Sequence, residues 1–156
     1  MTNLREKIKY GLDKYLGINN LSDIILCDDI IGIWSQLDLA IDYPFTKTEK
    51  SHMKKIKDML KLDINNYNVY KYGLYVSSVV GSIKGISYKK INDIYKNLKI
   101  HSVSDINIKA MDIANILNRE PGNYLSDIIS DIEIKIVNNE IDNVYEEIKD
   151  YILKNY

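Results

Sequence analysis

Apolar residues recur along this chain at the three- and four-residue steps that place one face of an α-helix against a core. Leu4, Ile8, Leu12 and Tyr15 mark such a face over 3–16. The segment 22–41 is rich in Ile and Leu around Trp34, with Ser22 placed to cap its start. Thr46 and Glu49 have capping-box spacing and predict a helix that turns Met53, Ile56 and Leu60 inward. Over 66–83 the pattern is less decided, because Val76, Val79 and Val80 would also suit a strand. Gly73, Ser77 and Gly81 fall four apart, which favours a helix with a small-residue face for close packing.

The same periodicity continues to the end of the chain. Ser87 is placed to cap a helix with Tyr88, Ile91, Tyr95 and Leu98 on one side. Ala110, Ile113, Ala114 and Leu117 form the next stripe. After Pro121-Gly122 come Leu125, Ile128, Ile129, Ile132 and Ile136, again on one face. Asn143 followed by Glu146 predicts a capped last helix with Val144, Ile148, Tyr151 and Ile152 inward. The two prolines, Pro44 and Pro121, both fall at helix borders, and no alternating strand pattern or internal repeat occurs. The expected architecture is all-α, with about eight short-to-medium helices and no sheet.

Composition changes little in that picture. A chain of 156 residues suits one domain or two small helical lobes, and 46% hydrophobic with 28% charged residues is ordinary for a soluble protein. The excess of 13 Tyr over 1 Phe belongs to a general bias toward Ile, Lys, Asn, Asp and Tyr, so no single tyrosine is given a role. Cys27 is the one cysteine, so no internal disulfide forms, as suits a reducing compartment. No leader pattern opens the sequence, and no apolar run reaches the roughly 20 residues of a membrane span. A cytoplasmic protein without membrane contact is expected.

Charge layout matters more. The net charge of −1 hides a block at 47–99 with 12 lysines against 4 acids, while 122–156 carries 3 lysines against 8 acids. The basic block suits attraction to nucleic-acid phosphates, or it is simply the solvated outer face of several helices.

Catalytic constellations are missing. His52 and His101 each lack a second His or Cys at metal-ligand spacing, and Cys27 sits in an apolar run with no activating base nearby. There is no glycine-rich phosphate loop and no nucleophile elbow. Asp131 and Glu133 lie mid-helix, where residues two apart diverge, so they do not clamp metals. Glu140 and Asp142 sit at a turn, and Asp28-Asp29 reads as an exposed helix edge.

From Leu98 onward the chain carries a run of spaced elements: Leu98-Lys99-Ile100, then Ile106 to Ile113, the Pro121-Gly122 turn, and Val137 to Asn143 at a helix end. In order and spacing they resemble the C-terminal tail of bacterial CCA-adding enzymes, the tRNA nucleotidyltransferases of the class that includes bacterial poly(A) polymerases. Leu98-Lys99-Ile100 matches an L-P-I element there, with Lys99 where proline is usual. Ile106 to Ile113 matches an (L/I)-x-I-x-G-x-D-L step, with Ala110 in place of glycine. Pro121-Gly122 matches the P-G turn, and Val137 to Asn143 the end of the long helix, with Asn139 where glycine is common.

The resemblance implies a helical body at 1–97 and a tail at 98–156. It implies that this chain is the tRNA-binding body and tail, holding the acceptor and T arms through backbone and shape. The catalytic head, which uses Mg²⁺ with CTP or ATP, and the nucleotide-selecting neck have no counterpart motif here. The chain alone is therefore not expected to be catalytic or to carry a cofactor. Lys89, Lys90, Lys96, Lys99 and Lys109 flank the tail boundary and are the candidate RNA contacts. Arg119, Gly122 and Asn123 join them at the turn, where a helix N-terminus offers N–H groups to a phosphate. Glu120 and Asp127 bracket that turn and oppose an anion, which leaves simple connection as its other reading. Asp112 is expected to be a local cap and Asn143 a helix cap. The competing function is a helical protein–protein interaction or dimerisation module; a homodimer or the missing head are the candidate protein partners.

Overall fold

The computed structural model describes residues 29–36 and 45–156. The helix expected over 3–16, the Ser22 cap, Cys27, Asp28, Pro44 and most of 22–41 lie outside these residues. Among the described residues there are seven α-helices and no strand. They are α1 (Ile30–Ser35), α2 (Lys47–Leu60), α3 (Asn66–Lys84), α4 (Tyr88–Lys96), α5 (Ala110–Leu117), α6 (Tyr124–Val137) and α7 (Tyr145–Asn155). A 3₁₀ turn at Val103–Asp105 precedes α5. The protein is all-α. It divides into two compact units, Met1–Asp93 and Ile94–Tyr156, with α4 running across the division.

In the first unit, α1, α2 and α3 pack against one another. Trp34, Ile33, Ile56, Met59, Val69 and Val80 are fully buried, and Phe45 meets Trp34 edge-on at 5.6 Å. The start of α2 is the expected capping box: Thr46 Oγ1 accepts the Glu49 N–H, and Glu49 accepts the Thr46 N–H. Its inner face is Met53, Ile56 and Met59, with Leu60 only partly buried. Asp29 is not an exposed helix edge. Its carboxylate caps α1 through the Ile31 N–H at 2.8 Å and accepts the Tyr75 hydroxyl at 2.8 Å.

Segment 66–83 is helical, but its three small residues do different jobs. Ser77 is fully buried and its hydroxyl reaches the Met59 sulfur at 3.7 Å. A Cβ added at Gly81 would stand 2.9 Å from Ile91 Cγ1, so this glycine is what lets α4 approach α3. Gly73 has open space around it and a φ of +83°, which interrupts the helix where α3 bends. At the far end, Ser87 Oγ accepts the Lys90 N–H and caps α4 as expected. Ile91 is fully buried on its inner face, whereas Tyr88 points outward at 60% exposure.

In the second unit α5 packs on α6 and on α7. Ile113, Ala114, Leu125, Ile128, Ile132, Ile136, Ile148 and Ile152 are buried there, while Ala110, Leu117, Ile129 and Tyr151 of the expected stripes are only partly buried. Leu98, Ile100, Ile106 and Ile108 from the preceding loop are buried too. Val144 is the exception: it is the N-cap of α7 and 52% exposed, because the first inward position of that helix is Ile148.

Two helices of this unit end on left-handed asparagines. Asn118 has φ +52°, and the Arg119 N–H closes back to the Ala114 carbonyl at 3.0 Å. Asn139 has φ +60°, and the Glu140 N–H reaches the Lys135 carbonyl at 2.8 Å. This is the six-to-one bond of a Schellman ending. Asn139 is the position where the resembled pattern has glycine, and the positive φ explains why: both residues tolerate a conformation that costs others about 1–2 kcal/mol. Asn139→Val is therefore expected to destabilise the protein by about 1–2 kcal/mol, while Asn139→Gly leaves it unchanged or slightly more stable. Urea unfolding followed by circular dichroism reads the difference, and equal midpoints for the two variants would contradict it.

Candidate nucleic-acid interface

The candidate RNA contacts do not form one cluster. Lys89 and Lys90 lie exposed in the first turn of α4, and Lys96 is its last residue, also exposed. Among the described residues none of these three ammonium groups is in an ion pair. Lys99 is different. It is ion-paired to Asp142 and lies 3.4 Å from the Ile141 carbonyl, so it ties the 98–100 segment to the turn before α7. Part of its charge is already neutralised. Lys109 is the exposed N-cap of α5, where its backbone N–H is held by Asp112 Oδ2 at 2.9 Å. Asp112 is thus the local cap that the sequence leads one to expect.

Arg119, Gly122 and Asn123 do share one turn. The Arg119 guanidinium lies over the Tyr124 ring, 4.0 Å from its centroid, and the Tyr124 hydroxyl donates to the Arg119 carbonyl at 3.3 Å. A Cβ at Gly122 would meet nothing closer than a Tyr124 ring carbon at 3.6 Å, so this turn does not demand glycine. Asn123 is the N-cap of α6 with φ −62°, and its side chain makes no capping bond. Beside this turn lies an open depression of about 370 Å³, bordered by Met111, Asn115, Asn118, Arg119 and Pro121 over the buried Ala114.

Two arrangements here are absent from any local reading of the chain. Asn143 does not cap α7. Its Oδ1 accepts the Asn107 N–H at 2.8 Å, its Nδ2 donates to the Asp105 carbonyl at 2.9 Å, and its carbonyl accepts from Asn107 Nδ2 at 2.8 Å. The partners are 36 and 38 residues away. The one signal in the sequence is the resembled pattern, which ends on an Asn at this position.

Asp131, which by spacing alone is half of an idle carboxylate pair, accepts the Tyr151 hydroxyl at 2.5 Å and the Tyr156 hydroxyl at 2.7 Å. Burial, then this bond, pushes Tyr151 well above the usual phenol range. The bond to Asp131, then burial, pushes Tyr156 up to about 12. The remaining carboxylates of interest are spoken for: Glu140 pairs with Lys135 at 3.5 Å and Asp142 with Lys99.

A family model described as tRNA nucleotidyltransferase domain 2 matches residues 41–152. The chain belongs to this family. The segment whose pattern resembles the CCA-adding tail falls almost wholly inside that match. A CCA-adding enzyme of Bacillus cereus (strain G9842) is 25% identical over 126 residues, covering 69% of this chain and 32% of the relative. A CCA-adding enzyme of Staphylococcus epidermidis is 34% identical over 70 residues, covering 45% of this chain and 17% of the relative. The crystal structure of the Bacillus stearothermophilus CCA-adding enzyme in complex with CTP superposes with a TM-score of 0.64 at 15% identity. That likeness covers 70% of this chain and 31% of the other, and it concerns the fold. This tRNA nucleotidyltransferase domain spans about a third of the length of the Bacillus cereus relative. Among its described residues no helix is long and apolar enough to cross a membrane.

The tyrosine pair gives a direct test of the site's electrostatics. A phenol whose folded pKa is raised stabilises the fold below its unfolded value near 10, and that contribution is lost as pH rises through the folded value. With Tyr156 at about 12, the loss falls between roughly pH 10 and 12. In carbon-13 spectra of ring-labelled tyrosine, Tyr156 is expected to titrate near 12. In Asp131→Asn it should return toward the ordinary value. An unchanged titration in that variant would show that Asp131 is not the cause.

Proposed function

We propose that this domain is the tRNA-holding body and tail of a CCA-adding nucleotidyltransferase. Nucleotidyl transfer then resides in a catalytic head outside these 156 residues, where Mg²⁺ and CTP or ATP act. The observation that carries the reading is the family match over 41–152. The Bacillus relatives it accompanies are named for CCA addition, and the same domain in a poly(A) polymerase would meet its RNA through the same surfaces.

Physical chemistry supports the RNA side of the proposal. Of the 12 lysines between residues 47 and 99, all but Lys57 are exposed. Exposed ammonium groups on rigid helices supply attraction to a phosphate backbone without reading sequence. Lys89, Lys90, Lys96 and Lys109 are the candidate lysines in no ion pair among the described residues, and the first three carry the prediction better than Lys99 because they share α4. Such a protein works in the cytoplasm, where tRNA is matured.

The exposed Tyr145 and Leu153 of α7 and Tyr156 just after it, beside Glu146 and Asp150, favour a second reading as an interaction module. Titrating tRNA against the chain at two salt concentrations separates the readings. Binding should weaken steeply with salt, and reversing charge at Lys89, Lys90 and Lys96 should lower the logarithmic salt slope by about 0.7–0.9 for each phosphate that is no longer neutralised. Absence of binding at low salt would overturn the RNA reading, and concentration-dependent self-association in its place would favour the module.

A further inference from the structure

The two units differ in sign, and that difference decides what the second one can hold. The basic block sits on α2, α3 and α4, whereas 122–156 carries 3 lysines against 8 acids. A polyanionic backbone gains little from such a surface. Yet the depression beside α5 is built from groups suited to a planar, neutral ligand. Met111, 55% exposed, offers a soft apolar edge, and Ala114 forms a floor with no side chain in the way. The Arg119 guanidinium is planar, and Tyr124 covers one of its faces at 4.0 Å. The amides of Asn115 and Asn118 border the same space, and Glu120 stands at its rim.

We propose that this depression receives a single unstacked nucleobase of the bound RNA, stacked on the Arg119–Tyr124 pair. This rests on the reading of the domain as tRNA-binding and names which part of the RNA the second unit meets. RNA is commonly recognised through splayed bases laid on aromatic or guanidinium planes. One such contact weighs about 1–3 kcal/mol and depends little on sequence. The asparagine amides donate to and accept from the base edge. Glu120 accepts from an exocyclic amine, which favours cytosine, adenine or guanine over uracil. It also opposes a second phosphate, so the acidic surroundings no longer argue against a nucleic-acid contact at this turn. The volume of about 370 Å³ is ample for a base with its ribose.

The test uses the full chain and three small probes followed by nuclear magnetic resonance: cytidine 5′-monophosphate, uridine 5′-monophosphate and ribose 5-phosphate. Cytidine monophosphate should shift the Met111 methyl and the Asn115 and Asn118 side-chain amides saturably, while ribose 5-phosphate leaves them in place. Arg119→Ala, or the groove-filling Asn115→Trp on the exposed face of α5, should weaken cytidine monophosphate about tenfold. Equal shifts with ribose 5-phosphate, or no shifts with any probe, would overturn the base site. Uridine monophosphate binding as tightly as the cytidine compound would overturn the part given to Glu120. The two proposals fail separately. If Asn115→Trp leaves tRNA affinity unchanged while lysine reversal abolishes it, the domain binds tRNA and this site is wrong. If tRNA never binds, the reading of the domain itself is wrong.

Discussion

Asn143 holds the second unit in register. Its side chain and carbonyl make three hydrogen bonds to Asp105 and Asn107, joining the loop before α5 to the turn before α7. The helices on either side are short, at 8 and 11 residues, and helices of that length are marginal alone. They persist because Ile106 and Ile108 are held down into the core between them, and the asparagine fixes the backbone that carries both. The Lys99–Asp142 ion pair closes the same junction from the other side. An exposed pair adds little by itself, but here it lies next to a bond network that already orders the chain.

That junction accounts for the residue pattern of the family tail in physical terms. Leu98 and Ile100 are buried, Ile106 and Ile108 are buried, Asn143 bonds across to Asn107, and Asn139 takes the positive φ that a glycine would take. The Pro121-Gly122 step is the weakest part of the pattern structurally, since nothing around Gly122 requires a glycine. Its neighbour Arg119 does more, through its contact with Tyr124. On the proposed reading, phosphate attraction belongs to the lysine-rich helices and an uncharged contact to the acidic second unit.

Much of the fold is legible in the sequence where the cause is local. The Thr46–Glu49 box, the Ser87 cap and the Ile113-Ala114 stripe are set by residues within one or two turns of each other, and periodicity finds them. The failures share a different cause. Asn143 looks like a cap because Glu146 follows it, yet its partners are 36 and 38 residues away. Asp131 looks like an idle mid-helix carboxylate because its tyrosines are 20 and 25 residues away. Gly73 fits a packing stripe by spacing, but its φ belongs to a bend that no spacing rule announces. For the candidate site the lysines are visible as charge, while the pairing of Lys99 exists only once the chain has folded, and the depression beside α5 depends on how residues 111–121 turn at the end of that helix.

On the proposed reading, this domain grips the outer part of tRNA by its shape and backbone. The most direct measurement compares the affinity of the chain for whole tRNA, for a minihelix of acceptor and T arms alone, and for an anticodon-arm hairpin. The minihelix is predicted to bind nearly as tightly as whole tRNA and the hairpin far more weakly. A hairpin that binds as well as the minihelix would contradict the claim.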